Sequence, residues 1–350
     1  MSYFRDNIKA LEAYVPGEQP SPGTKVVKLN TNENPYPPSP AAMAVLRDFD
    51  ADLLRRYPHP YARKVREAAA RLYGVEPAYV LVGNGSDDLL TMVMRSAAEP
   101  GRKVAYPTPT YVLYRTLAQI QDAEVVEAPF DDDYSLPVDE LIEAGAAVTL
   151  VASPNSPSGT LAARDDLERL AGRLPGLLLV DEAYVDFADR DAMELARTMP
   201  NVIVLRTLSK GYSLAGLRLG FAVANPGLIE GLAKVKDSYN VSASACAVGA
   251  AAIDDQDWKN ANAEKVKASR ARLAADLKEA GFKVWPSQSN FLLARPVDGG
   301  AAAIYEALKA RGILVRYFNQ PRLDDKLRIT VGTDDDNAGL VAAIKELSDS

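Results

Sequence analysis

From residue 79 to residue 223 the chain repeats one pattern: a short apolar run, a turn of small or polar residues, then a helical stretch. The runs Tyr79–Val82, Lys103–Tyr106, Glu124–Ala128, Ala147–Ala152, Leu177–Asp181, Val202–Arg206 and Leu219–Val223 read as strands. Several are nearly all apolar, as expected of strands covered on both faces. Helical periodicity separates them over Asp87–Ala98, Tyr111–Gln121 and Arg164–Arg173. This alternation implies an α/β fold with an open, mostly parallel central sheet flanked by helices. Ligands of such sheets bind at the carboxyl ends of the strands.

The character of the chain changes after about residue 255. A long charged helix is expected over Trp258–Ala280, then strands at Phe282–Trp285, Asn290–Arg295, Ile313–Arg316 and Leu327–Val331. Helices near Ala301–Arg311 and Asn337–Ser348 complete a smaller α+β unit. The first 35 residues are rich in Pro, Gly and Asn and read as an arm. The expected organisation is therefore an arm over 1–35, a large α/β domain over 36–255 and a small C-terminal domain over 256–350.

Composition removes several chemistries. His59, in Tyr-Pro-His-Pro-Tyr, is the only histidine, so a Ser-His-Asp triad would have to use it and a two-His zinc site is excluded. Cys246 stands alone, which excludes intrachain disulfides and cysteine-based metal clusters. The net charge of −7 argues against a broad basic face for nucleic acid. No stretch approaches the roughly 20 apolar residues of a membrane span, and the N-terminus lacks the apolar core of a signal peptide. A cytoplasmic protein without a metal site is expected.

The richest segment is Thr207-Leu-Ser-Lys-Gly-Tyr-Ser-Leu-Ala-Gly-Leu-Arg-Leu-Gly220, directly after the buried run Asn201–Leu205. A lysine at the end of a buried strand is poorly placed for solubility. Desolvation and neighbouring charge can lower its pKa enough to leave a nucleophilic amine suited to a Schiff base. The hydroxyls of Thr207 and Ser209 and the guanidinium of Arg218 could together hold a phosphate. An amine beside a phosphate site is what pyridoxal 5'-phosphate (PLP) requires.

Three further motifs fall at strand ends. In Val82-Gly-Asn-Gly-Ser-Asp-Asp88 a strand ends in glycines and a helix begins, so amides at Gly85, Ser86 and Asp87 could bind an anion. Glycine there would equally serve a turn with positive φ. Leu150-Val-Ala-Ser-Pro-Asn-Ser-Pro-Ser-Gly159 places Asn155 between prolines, in what could also be a structural turn. Asp181 ends the apolar run of Leu178-Leu-Val-Asp-Glu-Ala-Tyr184, where an unpaired carboxylate is costly. Its expected cationic partner is either a protonated pyridine nitrogen or a structural salt bridge. A parallel sheet would bring Asn155, Asp181 and Lys210 together from three successive strands.

With these residues in view, the chain resembles the fold-type I, class-II-like PLP-dependent aminotransferases of the aspartate-aminotransferase superfamily, most closely the histidinol-phosphate aminotransferase family. Beyond the motifs above, the resemblance rests on Leu29-Asn-Thr-Asn-Glu-Asn-Pro-Tyr36, Arg55-Arg-Tyr-Pro58, Pro107-Thr-Pro-Thr-Tyr111, Tyr239-Asn-Val241 and Leu327-Arg-Ile-Thr-Val-Gly-Thr333. These pieces follow the family's order along almost the whole chain. Ser153 and Ser156 depart from the asparagines common beside the Asn155 position, His59 from an aspartate, and Ser213 from a glycine.

The resemblance implies a role for each matching position. Lys210 would form the Schiff base with PLP and shuttle the proton, and Asp181 would keep the pyridine nitrogen protonated. Asn155 and Tyr184 would bond the ring hydroxyl oxygen, and Tyr111 would stack on the ring. Gly85, Ser86, Asp87, Thr207, Ser209 and Arg218 would surround the phosphate. Tyr57 would reach the phosphate of a second subunit's cofactor, implying a homodimer with shared active sites. Arg328, with Tyr14, Asn32 and Arg316, would bind substrate. The implied reaction is transfer of an amino group from L-histidinol phosphate to 2-oxoglutarate. Within the same site, an aromatic amino acid aminotransferase or a threonine-phosphate decarboxylase-like lyase are alternatives. A non-catalytic binding protein is disfavoured by the intact Asn155, Asp181, Tyr184, Lys210 and Arg218 set.

Overall fold

The computed structural model describes residues 3–12, 18–20, 23 and 26–348. Its strands, in chain order, are β1 (Val27–Lys28), β2 (Val80–Gly83), β3 (Lys103–Thr108), β4 (Glu124–Pro129), β5 (Val148–Ala152), β6 (Leu177–Asp181) and β7 (Val202–Thr207). These are followed by β8 (Gly220–Ala224), β9 (Phe282–Val284), β10 (Phe291–Pro296), β11 (Ile313–Leu314), β12 (Arg316–Tyr317) and β13 (Leu327–Thr330). Seven of them form one sheet in the order β2-β8-β7-β6-β5-β3-β4.

Alternation of side chains explains why the central strands are apolar throughout. Val202 and Val204 of β7 join one core layer, whereas Ile203 and Leu205 join the layer on the opposite face. The first layer contains the apolar sides of helices Arg63–Tyr73, Arg164–Arg173 and Ala243–Asp254. The second contains those of Ser86–Ala97, Leu113–Ile120 and Pro226–Ala233. Truncating a residue such as Leu179, wholly buried in the sheet, would cost about 2–5 kcal/mol.

The pairs β3–β4, β3–β5, β5–β6 and β6–β7 are parallel. β8 runs antiparallel to both β7 and β2, because the Lys210 loop returns the chain beside β7 without a crossover helix. The carboxyl ends of the adjacent strands β5, β6 and β7 therefore carry Ala152, Asp181 and Thr207 to one edge.

A second sheet, β12-β13-β10-β9, is antiparallel and packs with helices Gln256–Glu279, Ala301–Ala310 and Asp334–Ser348. The run expected as one strand over Ile313–Arg316 is divided. Ile313–Leu314 pairs with β1, whereas Arg316–Tyr317 pairs with β13. β1 thus ties the early chain to the second unit, and Leu29 is buried in that unit's core. From Val27 onward the arm is a packed element. Among the described residues no helix is long and apolar enough to cross a membrane.

Candidate active site

A cavity of about 270 Å³ opens at the carboxyl ends of β5–β7. Asn32, Ser86, Asp87, Tyr111, Asp181, Tyr184, Thr207, Ser209, Lys210, Arg218, Arg316 and Arg328 all line it. Of the expected residues that the structure describes, Gly85, Asn155 and Tyr57 are not in its lining. Tyr57 is 82% exposed and stacks on Tyr239, with ring centroids 4.5 Å apart. Tyr14 lies outside the described residues. His59 is exposed, and its Nδ1 accepts from the Tyr61 amide in a local turn.

Lys210 follows β7, and its Nζ donates to the carbonyl of Thr31 at 3.1 Å. Burial pushes the amine down to about 8, and the charges of Arg328 and Arg218 act in the same direction. Glu33 and Asp87 oppose that shift. The amine lies 5.8 Å from the centroid of the Tyr184 ring. Asn34 Nδ2 donates to the Lys210 carbonyl at 3.0 Å, fastening the lysine loop to the N-terminal segment.

Asp181 is buried at the end of β6. Its Oδ2 accepts from the Tyr114 hydroxyl at 2.8 Å and its Oδ1 from the Ala183 amide at 3.2 Å. Burial raises its carboxyl to about 6, with the Tyr114 hydrogen bond acting against the rise. Both donors are neutral, so a cationic nitrogen in the cavity would relieve the desolvation of the charged form.

The anion cup combines a helix start with the lysine loop. Gly85, at φ +86°, turns the chain so that helix Ser86–Ala97 points its first amides at the cavity. A Cβ on Gly85 would stand 2.8 Å from Arg218 Nη2, so the guanidinium closes directly over this turn. Arg218 Nη1 approaches Ser209 Oγ at 3.4 Å, and Nη2 pairs with Asp87 Oδ2 at 3.4 Å. Thr207 Oγ1 donates to Ser209 Oγ at 3.0 Å. Two hydroxyls, free helix amides and a guanidinium suit a phosphate in chemistry and in charge.

The opposite wall comes from the second unit and the N-terminal segment. Arg328 donates from Nη1 to Ser156 Oγ at 3.1 Å and from Nη2 to the Asn30 carbonyl at 2.9 Å. Its guanidinium lies 5.3 Å from the Phe291 ring and 5.5 Å from that of Phe318, over which Arg316 also sits at 5.0 Å. Asn32, at φ +56°, is held by Thr330 and Asn290, and its Nδ2 donates to the Tyr184 hydroxyl at 2.9 Å. Tyr111 donates to Asp87 Oδ1 at 3.3 Å and meets Tyr114 edge to face.

Asn155 is buried beside the cavity, and its amide is hydrogen-bonded to the Pro109–Thr110 segment and to its own turn. Nδ2 donates to the Pro109 carbonyl and Ser158 Oγ, and Oδ1 accepts from Thr110. Its neighbour Ser156 lines the cavity instead. Sequence reasoning also missed Tyr114, although its spacing of three from Tyr111 puts both near one helix face. Asn30 and Thr31 contribute through backbone carbonyls, which no side-chain pattern could reveal.

The cavity asks for a ligand with a phosphate at one end and a cationic nitrogen within reach of Asp181. The chain belongs to the aminotransferase class I and II family, whose model matches residues 24–344. Within that family it is similar to histidinol-phosphate aminotransferases. It is 59% identical over 346 residues to histidinol-phosphate aminotransferase 1 of Trichormus variabilis, covering 99% of both chains. It is 44% identical over 350 residues to histidinol-phosphate aminotransferase of a Synechocystis species, covering 100% of this chain and 99% of that one. The crystal structure of histidinol-phosphate aminotransferase from Sinorhizobium meliloti in complex with pyridoxal-5'-phosphate superposes with a TM-score of 0.89 at 28% identity. That match covers 99% of this chain and 98% of the other.

Proposed function

We propose that the protein catalyses PLP-dependent transamination of L-histidinol phosphate with 2-oxoglutarate, giving imidazole acetol phosphate and L-glutamate in histidine biosynthesis. The observation that carries this reading is the company Lys210 keeps. Its depressed amine shares one cavity with two sets of cationic groups, Arg218 with its hydroxyls and Arg316 with Arg328. The 59% identity to a histidinol-phosphate aminotransferase supports the same substrate.

PLP, when bound, supplies an electron sink for the pair left on the donor carbon. Ser86, Asp87, Thr207, Ser209 and Arg218 would hold its phosphate, and Asp181 would hold its ring nitrogen. Tyr184 and Ser156 would face its ring oxygen, and Tyr111 its ring. An amine titrating near 8 is partly neutral at neutral pH, so Lys210 accepts the Cα proton of the donor as a general base. Once charged, it is the acid that gives a proton back. The donor ends in a phosphate and the acceptor in carboxylates, so Arg328 and Arg316 serve both half-reactions as one anion clamp. Asn32 orients the Tyr184 hydroxyl, which it meets at 2.9 Å.

The working form is a cytoplasmic homodimer. Tyr57, Leu54 and Tyr239 are 82%, 67% and 47% exposed, and an aromatic stack left open in this way suits burial by a second copy. Tyr57 would then reach the cofactor phosphate across the interface. Light scattering is expected to give twice the chain mass.

The PLP-reconstituted protein should favour L-histidinol phosphate over phenylalanine by about 100-fold or more in kcat/KM, with 2-oxoglutarate as acceptor. A preference for phenylalanine, or carbon dioxide release from threonine phosphate without a keto acid, would overturn the assignment.

A further inference from the structure

Beside the cavity lies a cluster of charge, largely buried, whose members do not line it. Arg206 is its centre. Nε lies 2.8 Å from Glu182 Oε2, a contact of charges without the alignment of a hydrogen bond. Nη2 lies 2.8 Å from Asp191 Oδ2, and Nη1 lies 3.9 Å from Asp186 Oδ1. Lys259, from helix Gln256–Glu279, reaches Asp186 Oδ1 at 3.1 Å. The Arg206 guanidinium sits 5.2 Å over Tyr73, and Lys259 sits 5.5 Å over Tyr212. The Arg206, Glu182 and Asp186 side chains are 9%, 2% and 7% exposed.

Buried ion networks are poor sources of stability, because desolvation offsets their attraction and apolar replacements often do as well. What they can specify is arrangement. Here three members lie within two residues of the cavity lining, and Lys259 braces the third from a separate helix. Glu182 follows Asp181, Arg206 precedes Thr207, and Asp186 is two residues beyond Tyr184. Gly211, next to Lys210, passes so close to Asp186 that a Cβ there would lie 2.2 Å from Oδ2. Glu182 Oε1 also accepts from the Ala192 amide at 2.5 Å, anchoring the chain beyond β6.

We propose that the Glu182–Arg206–Asp186–Lys259 network is a positioning device that holds Asp181, Tyr184, Thr207 and Lys210 in one fixed arrangement around the cofactor, with Arg206 as its central positioning residue. The proposal rests on the reading that these four residues bind PLP. It assigns the network no contact with substrate. Its effect should appear in cofactor binding and turnover, and not in substrate affinity.

The test is the double variant Glu182→Gln/Arg206→Met, which removes both charges of the central pair and keeps a side-chain acceptor for the Ala192 amide, while Asp191, 43% exposed, turns to water. Its cofactor-free melting temperature should stay near that of the wild type. Its PLP dissociation constant should rise, and its kcat fall, by about ten-fold or more, the scale on which small misplacements act. KM for the amino donor should change by less than about two-fold. The pH midpoint of the bound cofactor's visible absorption should also move. A folded double variant with unchanged PLP affinity and an unchanged midpoint would overturn the proposal, leaving the network a purely structural one. If the double variant does not fold, Lys259→Met loosens Asp186 alone. A shift of the same sign in PLP affinity is then expected, and no shift would overturn the proposal. Wild-type protein that bound no PLP would instead defeat the functional reading.

Discussion

The Tyr114 hydroxyl donates to Asp181 Oδ2 at 2.8 Å from within the second core layer, so the deepest carboxylate of the cavity is held by a phenol and no cation. The bond steadies the charged form without neutralising it. Asp181 is left at the cavity floor with its carboxyl raised to about 6. That is a site prepared for a cationic nitrogen and under-compensated without one.

The sign of the resulting pH dependence follows from linkage. The folded value of about 6 lies above the ordinary 3.8, so the folded cofactor-free protein binds the extra proton between those limits. On this group's account, stability falls as pH rises through that window, by at most about 3 kcal/mol. Cofactor-free Asp181→Asn should therefore be more stable than wild type at pH 8, by an amount that shrinks towards pH 4. Tyr114→Phe should act in the opposite sense, losing about 1–3 kcal/mol at pH 8. Denaturant unfolding at both pH values measures this, and equal differences at the two would refute the assignment. Turnover of PLP-loaded Asp181→Asn should nevertheless drop by about 100-fold or more.

Arg328 is expected to act on two observables at once. Its charge helps to depress the Lys210 amine, so Arg328→Gln should raise that pKa and move the acid limb of the kcat/KM profile to higher pH. The same change removes donors from the anion clamp, and KM for donor and acceptor should both rise by about ten- to hundred-fold. A limb that moved to lower pH, or a KM effect on one substrate alone, would contradict the shared clamp.

Asn155 and Ser156 should separate cleanly. Asn155→Ala leaves buried partners at Pro109, Ser158 and Thr110, and should cost about 1–3 kcal/mol of stability with near-normal KM values. Ser156→Ala should change stability by less than about 1 kcal/mol and lower kcat/KM several-fold. The reverse pattern would assign the cavity contact to Asn155. Melting curves and steady-state kinetics on the two variants decide.

Much of this was legible in sequence because burial and chemistry conflict visibly at Asp181 and Lys210. A carboxylate closing an apolar strand and a lysine opening the next loop both need an explanation that a surface residue does not. Strand direction was less legible, since an apolar run looks alike in either sense, and β8 proved antiparallel to its neighbours. The division of Ile313–Arg316 between two sheets depends on β1, a pair of residues too short to show any periodicity. Asn155 and Ser156 differ by one position in a proline-flanked turn, and hydrogen bonds to the distant Pro109–Thr110 segment, which no local spacing shows, hold Asn155. The network around Arg206 was hidden for another reason. Its members are scattered from Glu182 to Lys259, and no local spacing joins them.

The central claim is that Lys210 is the amine that meets the cofactor, and that L-histidinol phosphate displaces it. Borohydride reduction of the PLP-loaded protein, followed by peptide mapping by mass spectrometry, tests both parts. The label should fall on the peptide containing Lys210, and prior addition of L-histidinol phosphate should remove it. A label on another lysine, or one that L-histidinol phosphate leaves in place, would contradict the account.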